Sequence, residues 1–198
     1  MSWTEPLAAA ATAVGVAPRL PILVGYVEAF ARWNQRINLS AARTLPEIAD
    51  HVVDCLALVP HVPPDARVID VGSGGGLPGI VLAAARPDLR LTCIEPIHKK
   101  AAFLRQAARD LALTVSVLTQ RVEPSDLQPS TLSDVAVSRA TFDLLTWLAV
   151  GRSLVVPGGI VLAMEGLDQV TLPDGAERHP YTFRDRTRAI IALRTGTP

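Results

Sequence analysis

The chain has 198 residues, enough for one domain with a sizeable core and a small appendage. Its 49% hydrophobic content and mean hydropathy of +0.29 exclude a disordered polymer, and 19 basic against 19 acidic residues exclude a nucleic-acid binder driven by overall charge. No stretch approaches the ~18 uninterrupted apolar residues of a membrane span, and no basic region followed by an apolar core opens the chain. A cytoplasmic location without membrane contact is therefore expected.

In chain order, the first helical signal runs from about Pro21 to Ile37. Leu23, Tyr26, Val27, Phe30, Trp33 and Ile37 recur at spacings of three and four and make one apolar face. A second helix is predicted from Pro46 to Leu58, with Ile48, Val52, Cys55 and Val59 inward and Pro60 beyond its end. These helices form an N-terminal cap, so residues 1–62 read as a helical extension and 63–198 as one compact unit.

From residue 67 short β-branched runs alternate with helices. Strands are predicted at Arg67–Val71, Leu91–Glu95, Val115–Leu118, Val135–Ser138 and Ile160–Met164. Helices are predicted up to Ala85, over His98–Leu111 and over Phe142–Leu154. Near-continuous apolar strands indicate burial on both faces, and their alternation with helices predicts a doubly wound α/β fold with a mostly parallel sheet. Tyr181–Phe183 and Ala189–Leu193 flank the polar Arg184–Thr187, the pattern of an antiparallel hairpin at the sheet's edge. This makes seven strands. Cys55 and Cys93 sit in apolar runs and read as buried free thiols.

Between the first strand and its helix lies Asp70-Val71-Gly72-Ser73-Gly74-Gly75-Gly76-Leu77-Pro78-Gly79. Glycines at such a turn permit positive φ and let a ligand approach the backbone at the carboxyl ends of the strands. A tight turn alone is the plainer reading, but it rarely needs five glycines in eight residues. Gly74-x-Gly76-x-x-Gly79 also satisfies the dinucleotide fingerprint, so an NAD-dependent oxidoreductase stays open. Three features bear on S-adenosylmethionine as the ligand. Asp70, two residues before Gly72, suits an ammonium and repels a pyrophosphate. Pro78 removes an N–H where a pyrophosphate would need one. Glu95, ending the second strand, can accept from ribose hydroxyls under either reading.

Several segments together resemble the 16S rRNA guanine-N7 methyltransferases known as RsmG or GidB. They are Arg32-Trp33-Asn34 with Asn38-Leu39-Ser40, His51-Val52-Val53-Asp54, and Asp70 through Gly79. Lys99-Lys100 with Phe103-Leu104-Arg105, Arg121-Val122-Glu123, Ser138-Arg139-Ala140 and Pro157-Gly158-Gly159 follow in the family's order, spanning about residues 20–166. The resemblance implies a Rossmann-like class I methyltransferase fold and transfer of a methyl group from S-adenosyl-L-methionine to N7 of a guanine (guanine 527) in 16S ribosomal RNA. It implies cofactor-binding roles for Gly72, Leu77, Glu95, Val122, Glu123 and Arg139, with 16S rRNA or the small ribosomal subunit as partner.

Guanine N7 carries a lone pair and no proton, so its methylation needs no general base. No catalytic acid, base or nucleophile is nominated. His51, His61, His98 and His179 lack metal-ligand spacing, so no metal is expected. Arg139 could hold the methionine carboxylate, orient the guanine, or be a surface ion pair. His51 could shape the substrate mouth or be a satisfied helix histidine. Arg32, Arg36 and Arg43 near Trp33, with Lys99, Lys100 and Arg105, could contact RNA or be solvated helix faces. Asp50 and Glu165 stand where the family usually has basic residues, which should weaken attraction for RNA. A divergent methyltransferase acting on another RNA or a small molecule is the alternative.

Overall fold

A computed structural model of the chain describes residues 2–122, 132–139, 141–166 and 169–196. Three helices precede the sheet: α1 (Thr4–Ala13), α2 (Leu20–Ile37) and α3 (Leu45–Leu56). α2 and α3 follow the predicted spans, and Ile48, Val52, Cys55 and Val59 are all buried. α3 starts at a capping box, in which the Thr44 hydroxyl accepts from the Glu47 N–H and the Glu47 carboxylate accepts from the Thr44 N–H. α1 is not among the elements expected from the sequence. Its run of alanines gives almost no contrast between faces, and only Leu7 and Ala11 are buried.

The strands are β1 (Arg67–Val71), β2 (Arg90–Ile94), β3 (Val115–Leu118), β4 (Ser133–Ser138), β5 (Val155–Glu165), β6 (Ala176–Phe183) and β7 (Arg186–Arg194). They form one sheet in the order β3-β2-β1-β4-β5-β7-β6, parallel from β3 to β5, with β7 antiparallel to β5 and β6 antiparallel to β7. Helices α4 (Gly79–Ala85), α5 (His98–Asp110) and α6 (Leu144–Arg152) complete the layers. The seven-stranded, mostly parallel sheet expected from the sequence is present. β5 starts earlier than predicted. Val156–Gly159, including the expected Pro157-Gly158-Gly159 turn, bulge opposite Asp134 between the pairs Ser133–Val155 and Val135–Ile160. Pro157 cannot donate to the ladder, and a bulge tolerates that.

Two cores flank the sheet. The larger joins the cap helices, α4 and α5, with Tyr26, Phe30 and Phe103 fully buried at its centre. Phe30 and Phe103 meet edge to face at 5.8 Å, and Trp33 stands 5.7 Å from Phe103. The smaller packs α6 on the opposite face around Trp147, whose Nε1–H donates to the Leu162 carbonyl at 2.8 Å. The carboxyl ends of β1, β2 and β4 are left beneath the cap, and there the sheet opens into a cavity.

Candidate functional site

The glycine loop is held from three sides. Gly72 and Ser73 donate their N–H groups to the Ile94 carbonyl, at 2.9 and 3.1 Å, and Gly76 donates to the Ser73 carbonyl at 2.6 Å. Gly74 donates to Oε2 of Glu95 at 2.8 Å, and Tyr26 of α2 donates its hydroxyl to the Gly75 carbonyl. Gly72 adopts φ +71°, and a Cβ there would fall 2.2 Å from Oγ1 of Thr141. No other residue type fits that position without displacing the segment that closes the cavity.

Asp70 differs from its expected role. It is fully buried, and its Oδ2 accepts the Gly79 N–H at 3.0 Å, at the first residue of α4. The carboxyl braces the helix start from beneath the loop instead of facing a ligand's ammonium. Burial raises its pKa to about 7, against the lowering effect of its hydrogen bonds.

The cavity above the loop has a volume of about 740 Å³. Gly72, Leu77, Glu95, Val122 and Arg139, to which the family resemblance gives cofactor-binding roles, all line it. Glu123 lies outside the described residues. Glu95 is buried at the end of β2. Besides holding Gly74 it takes the Ile97 N–H on Oε1 at 2.8 Å, so one carboxylate ties the loop to the start of α5. Val122 is half-buried against the smaller core.

Arg139 follows β4. Its Nη2 stands 3.0 Å from Nδ1 of His51 and 3.6 Å from Oδ2 of Asp54, and its Nη1 is 3.5 Å from Sγ of Cys55. It is a buttressed side chain in the wall of the cavity. Arginine has only donors, so Nδ1 of His51 accepts, and the ring is neutral with its proton on Nε2. Burial, then the Arg139 cation beside it, holds the His51 pKa below the ordinary value.

Asn34 is part of the Arg32-Trp33-Asn34 segment, but the sequence assigns it no role. Its Nδ2 donates to the Ala42 carbonyl and its Oδ1 accepts the Ser40 N–H at 2.9 Å, shaping the turn that puts Leu39 and Ser40 in the cavity wall. The left-handed Asn38, φ 55°, that ends α2 was its available signal. Thr141 and Phe142 also line the cavity and carried no signal.

Of the basic residues considered for RNA contact, Lys100 lines the cavity, while Arg32, Arg36, Arg43 and Lys99 are exposed. Arg43 bonds within its own turn to the Ser40 carbonyl at 2.8 Å. Arg105 braces α5 against the strand beside it, donating to the Val117 carbonyl at 3.1 Å and to the Thr119 hydroxyl. Trp33 packs on Phe103. Asp50 and Glu165 are both paired. Asp50 bonds Arg184, and Glu165 takes two bonds from Arg178 at 2.7 and 2.8 Å. Their negative charge is met locally by arginines of the hairpin.

The loop's own chemistry separates the two cofactor readings. The N–H groups of Gly72, Ser73, Gly74, Gly76 and Gly79 are all committed to protein acceptors, two of them carboxylates. A pyrophosphate needs such donors free at the helix start, and here it would also meet the Glu95 carboxylate in the cavity wall. A cationic sulfonium ligand with an ammonium group meets no such conflict.

The sheet order, the loop after β1 and the acid ending β2 define a class I methyltransferase. Solved structures agree at the level of the fold. Cofactor-bound Rv0187 from MTB matches with a TM-score of 0.58 at 19% identity, covering 89% of this chain and 91% of that one. The T. thermophilus 16S rRNA N2 G1207 methyltransferase (RsmC), in complex with AdoMet and guanosine, matches with a TM-score of 0.54 at 15% identity, covering 73% and 42%. The family model GidB, rRNA small subunit methyltransferase G, matches residues 19–179. A protein from Burkholderia pseudomallei (strain 668) named ribosomal RNA small subunit methyltransferase G is 42% identical over 184 residues, 86% of this chain and 79% of that protein. The chain belongs to the rRNA small subunit methyltransferase G family and is an enzyme whose cofactor is S-adenosylmethionine.

Proposed function

We propose that this methyltransferase acts on N7 of a guanine in 16S rRNA, with S-adenosylmethionine seated in the cavity between the glycine loop and Arg139. Family membership supports ribosomal RNA of the small subunit as substrate. The chemistry of the cavity carries the choice of N7. Both oxygens of Glu95 hold backbone N–H groups, and Nδ1 of His51 holds Arg139. Neither of these two groups is a free base beside the cavity. N7 offers an in-plane lone pair and releases no proton on attack, so it suits a site that orients and desolvates without moving protons.

The cofactor supplies the electrophilic methyl group. Gly72 and Leu77 would hold its amino-acid end, Glu95 the ribose hydroxyls, and Val122 and Glu123 the adenine. Arg139 would offer its guanidinium to an anionic oxygen of cofactor or nucleotide. In the same reading residues 63–198 form the cofactor-binding unit, and residues 1–62 are a helical extension whose 38–44 turn closes one side of the cavity. No helix among the described residues is long and apolar enough to cross a membrane, and a ribosomal substrate puts the enzyme's work in the cytoplasm.

Small subunits prepared without this modification, incubated with methyl-labelled cofactor and then cleaved chemically at N7-methylguanine, test the reading. One strand break at one guanine, dependent on the enzyme, is expected. Label that enters the RNA without creating a break would place the methyl group on another atom and contradict the assignment.

A further inference from the structure

His51, Asp54 and Cys55 share one face of α3, at the spacings of three and four that bring helical side chains together. All three converge on Arg139. Two of them are neutral acceptors: the His51 ring, and the Cys55 thiol, whose pKa burial pushes up to about 12. Asp54 is the acid that forms an ion pair with Arg139 among the described residues, and it is only 2% exposed. Its short bonds go elsewhere. Oδ1 accepts the Tyr181 hydroxyl at 2.7 Å, and Oδ2 accepts Nη1 of Arg188 at 2.7 Å, while Arg139 stands at 3.6 Å.

Two guanidinium groups therefore share one buried carboxylate, which leaves about one positive charge in excess in a half-dry setting. Arg188 takes one direct bond of the carboxylate and Tyr181 the other. Arg139, fixed mainly by neutral partners, keeps the larger share of the surplus. It stands on a wall common to the large cavity and to a second one of about 400 Å³ that also touches Asp54, Trp147, Glu165 and Arg188. The anchors come from opposite ends of the chain, Asp54 from the cap helix and Tyr181 and Arg188 from the β6–β7 hairpin.

We propose that Asp54 is a positioning residue for methyl transfer. By tying Tyr181 and Arg188 to α3 it fixes the Arg139 guanidinium at the shared wall, with its charge uncancelled and aimed at an anionic oxygen of the bound ligands. That oxygen belongs either to the cofactor's carboxylate or to the target nucleotide's phosphate. The inference rests on the methyltransferase reading above, and the parent enzyme's own transfer rate is the control that separates the two. A parent that transfers no methyl group to small subunits refutes that reading. A parent that does so lets Asp54 be judged by itself.

The test is a double-mutant cycle of Asp54→Asn and Arg139→Ala, read as transfer to small subunits and as calorimetric affinity for S-adenosylhomocysteine. Asp54→Asn should slow transfer by roughly 10- to 100-fold, and the double variant should match Arg139→Ala within about twofold, because Asp54 works through Arg139. A loss of S-adenosylhomocysteine affinity identifies the carboxylate as the arginine's target, and a rise in KM for subunits identifies the phosphate. NMR supplies a readout independent of activity. The two Nη groups of Arg139 should give separate signals in the parent and merge in Asp54→Asn as the guanidinium begins to rotate. Should Asp54→Asn fail to fold, Tyr181→Phe keeps every charge and should show a roughly threefold loss with the same non-additivity. Parent-like transfer in the folded variant, or an undiminished loss in the Arg139→Ala background, overturns the proposal.

Discussion

The glycine loop and the arginine wall face each other across one cavity and are built in opposite ways. The loop is a run of ten consecutive residues whose shape follows from backbone hydrogen bonds and from absent side chains. Its supports are close by, in the carbonyl of Ile94, the carboxylate of Glu95 and the buried Asp70. The wall is one side chain, Arg139, held by groups from α3, which is itself tied to β6 and β7 across sequence separations of 127 and 134 residues. Local order makes the loop a rigid cradle that one added carbon would spoil. Long-range charge makes the wall adjustable, so changes there should alter rate before they alter the fold.

Breaking the loop should give the largest effect. Gly72→Val forces a β-branched residue to φ +71° and drives its side chain into Thr141. Affinity for S-adenosylhomocysteine should fall more than about 100-fold by calorimetry, with far-ultraviolet circular dichroism unchanged. Unchanged affinity would remove the loop from the site. Next in size is Tyr26→Phe, which takes a buried hydroxyl from the Gly75 carbonyl. A loss of about 1–3 kcal/mol in urea unfolding is expected.

Asp70→Asn sharpens the comparison through pH. With its folded pKa at about 7 and an ordinary unfolded value near ~4, the parent carboxyl binds more protons folded than unfolded across that window. Stability from this group is complete below about pH 4 and is lost as pH rises to about 7. The variant lacks that loss. Its melting temperature relative to the parent should therefore rise by about 3 °C or more between about pH 5 and about pH 7.5. A flat difference would show that Asp70 stays ionised. The smallest effect is expected for Asp50→Asn, which breaks the ion pair with the exposed Arg184 and should cost less than about 1 kcal/mol in the same urea measurement.

The same contrast explains what could be read from the sequence. β1 and β3 fall on their predicted spans and the hairpin turns within Arg184–Thr187, because β-branched runs and polar turns are local signals. β6 starts at Ala176 and β7 at Arg186, earlier than the predicted Tyr181 and Ala189. Gly72, Leu77, Glu95, Val122 and Arg139 could be named through the family resemblance, and they meet at the carboxyl ends of the strands, where an α/β sheet opens. Asp70 was misjudged because spacing shows that an acid precedes the glycines but not which way its side chain turns. Gly79, nine residues on, claims it. The pairing of Asp50 and Glu165 with Arg184 and Arg178 was invisible for a related reason, since charges read one at a time do not reveal partners brought close by folding. Asp54 stood in the sequence only as the end of the His51-Val52-Val53-Asp54 segment, with no role attached. Its meaning lies in Tyr181 and Arg188, which reach it only when the hairpin folds back over α3.

The cavity is built for a sulfonium cofactor and not for a dinucleotide. Parallel calorimetric titrations of the purified protein with S-adenosylmethionine, S-adenosylhomocysteine and NAD test it most directly. Dissociation constants of order micromolar for the first two, with no heat from NAD, are predicted. Binding of NAD alone would overturn the cofactor assignment, because a pyrophosphate would have to draw the N–H groups of Gly72, Gly74 or Gly79 from Ile94, Glu95 or Asp70.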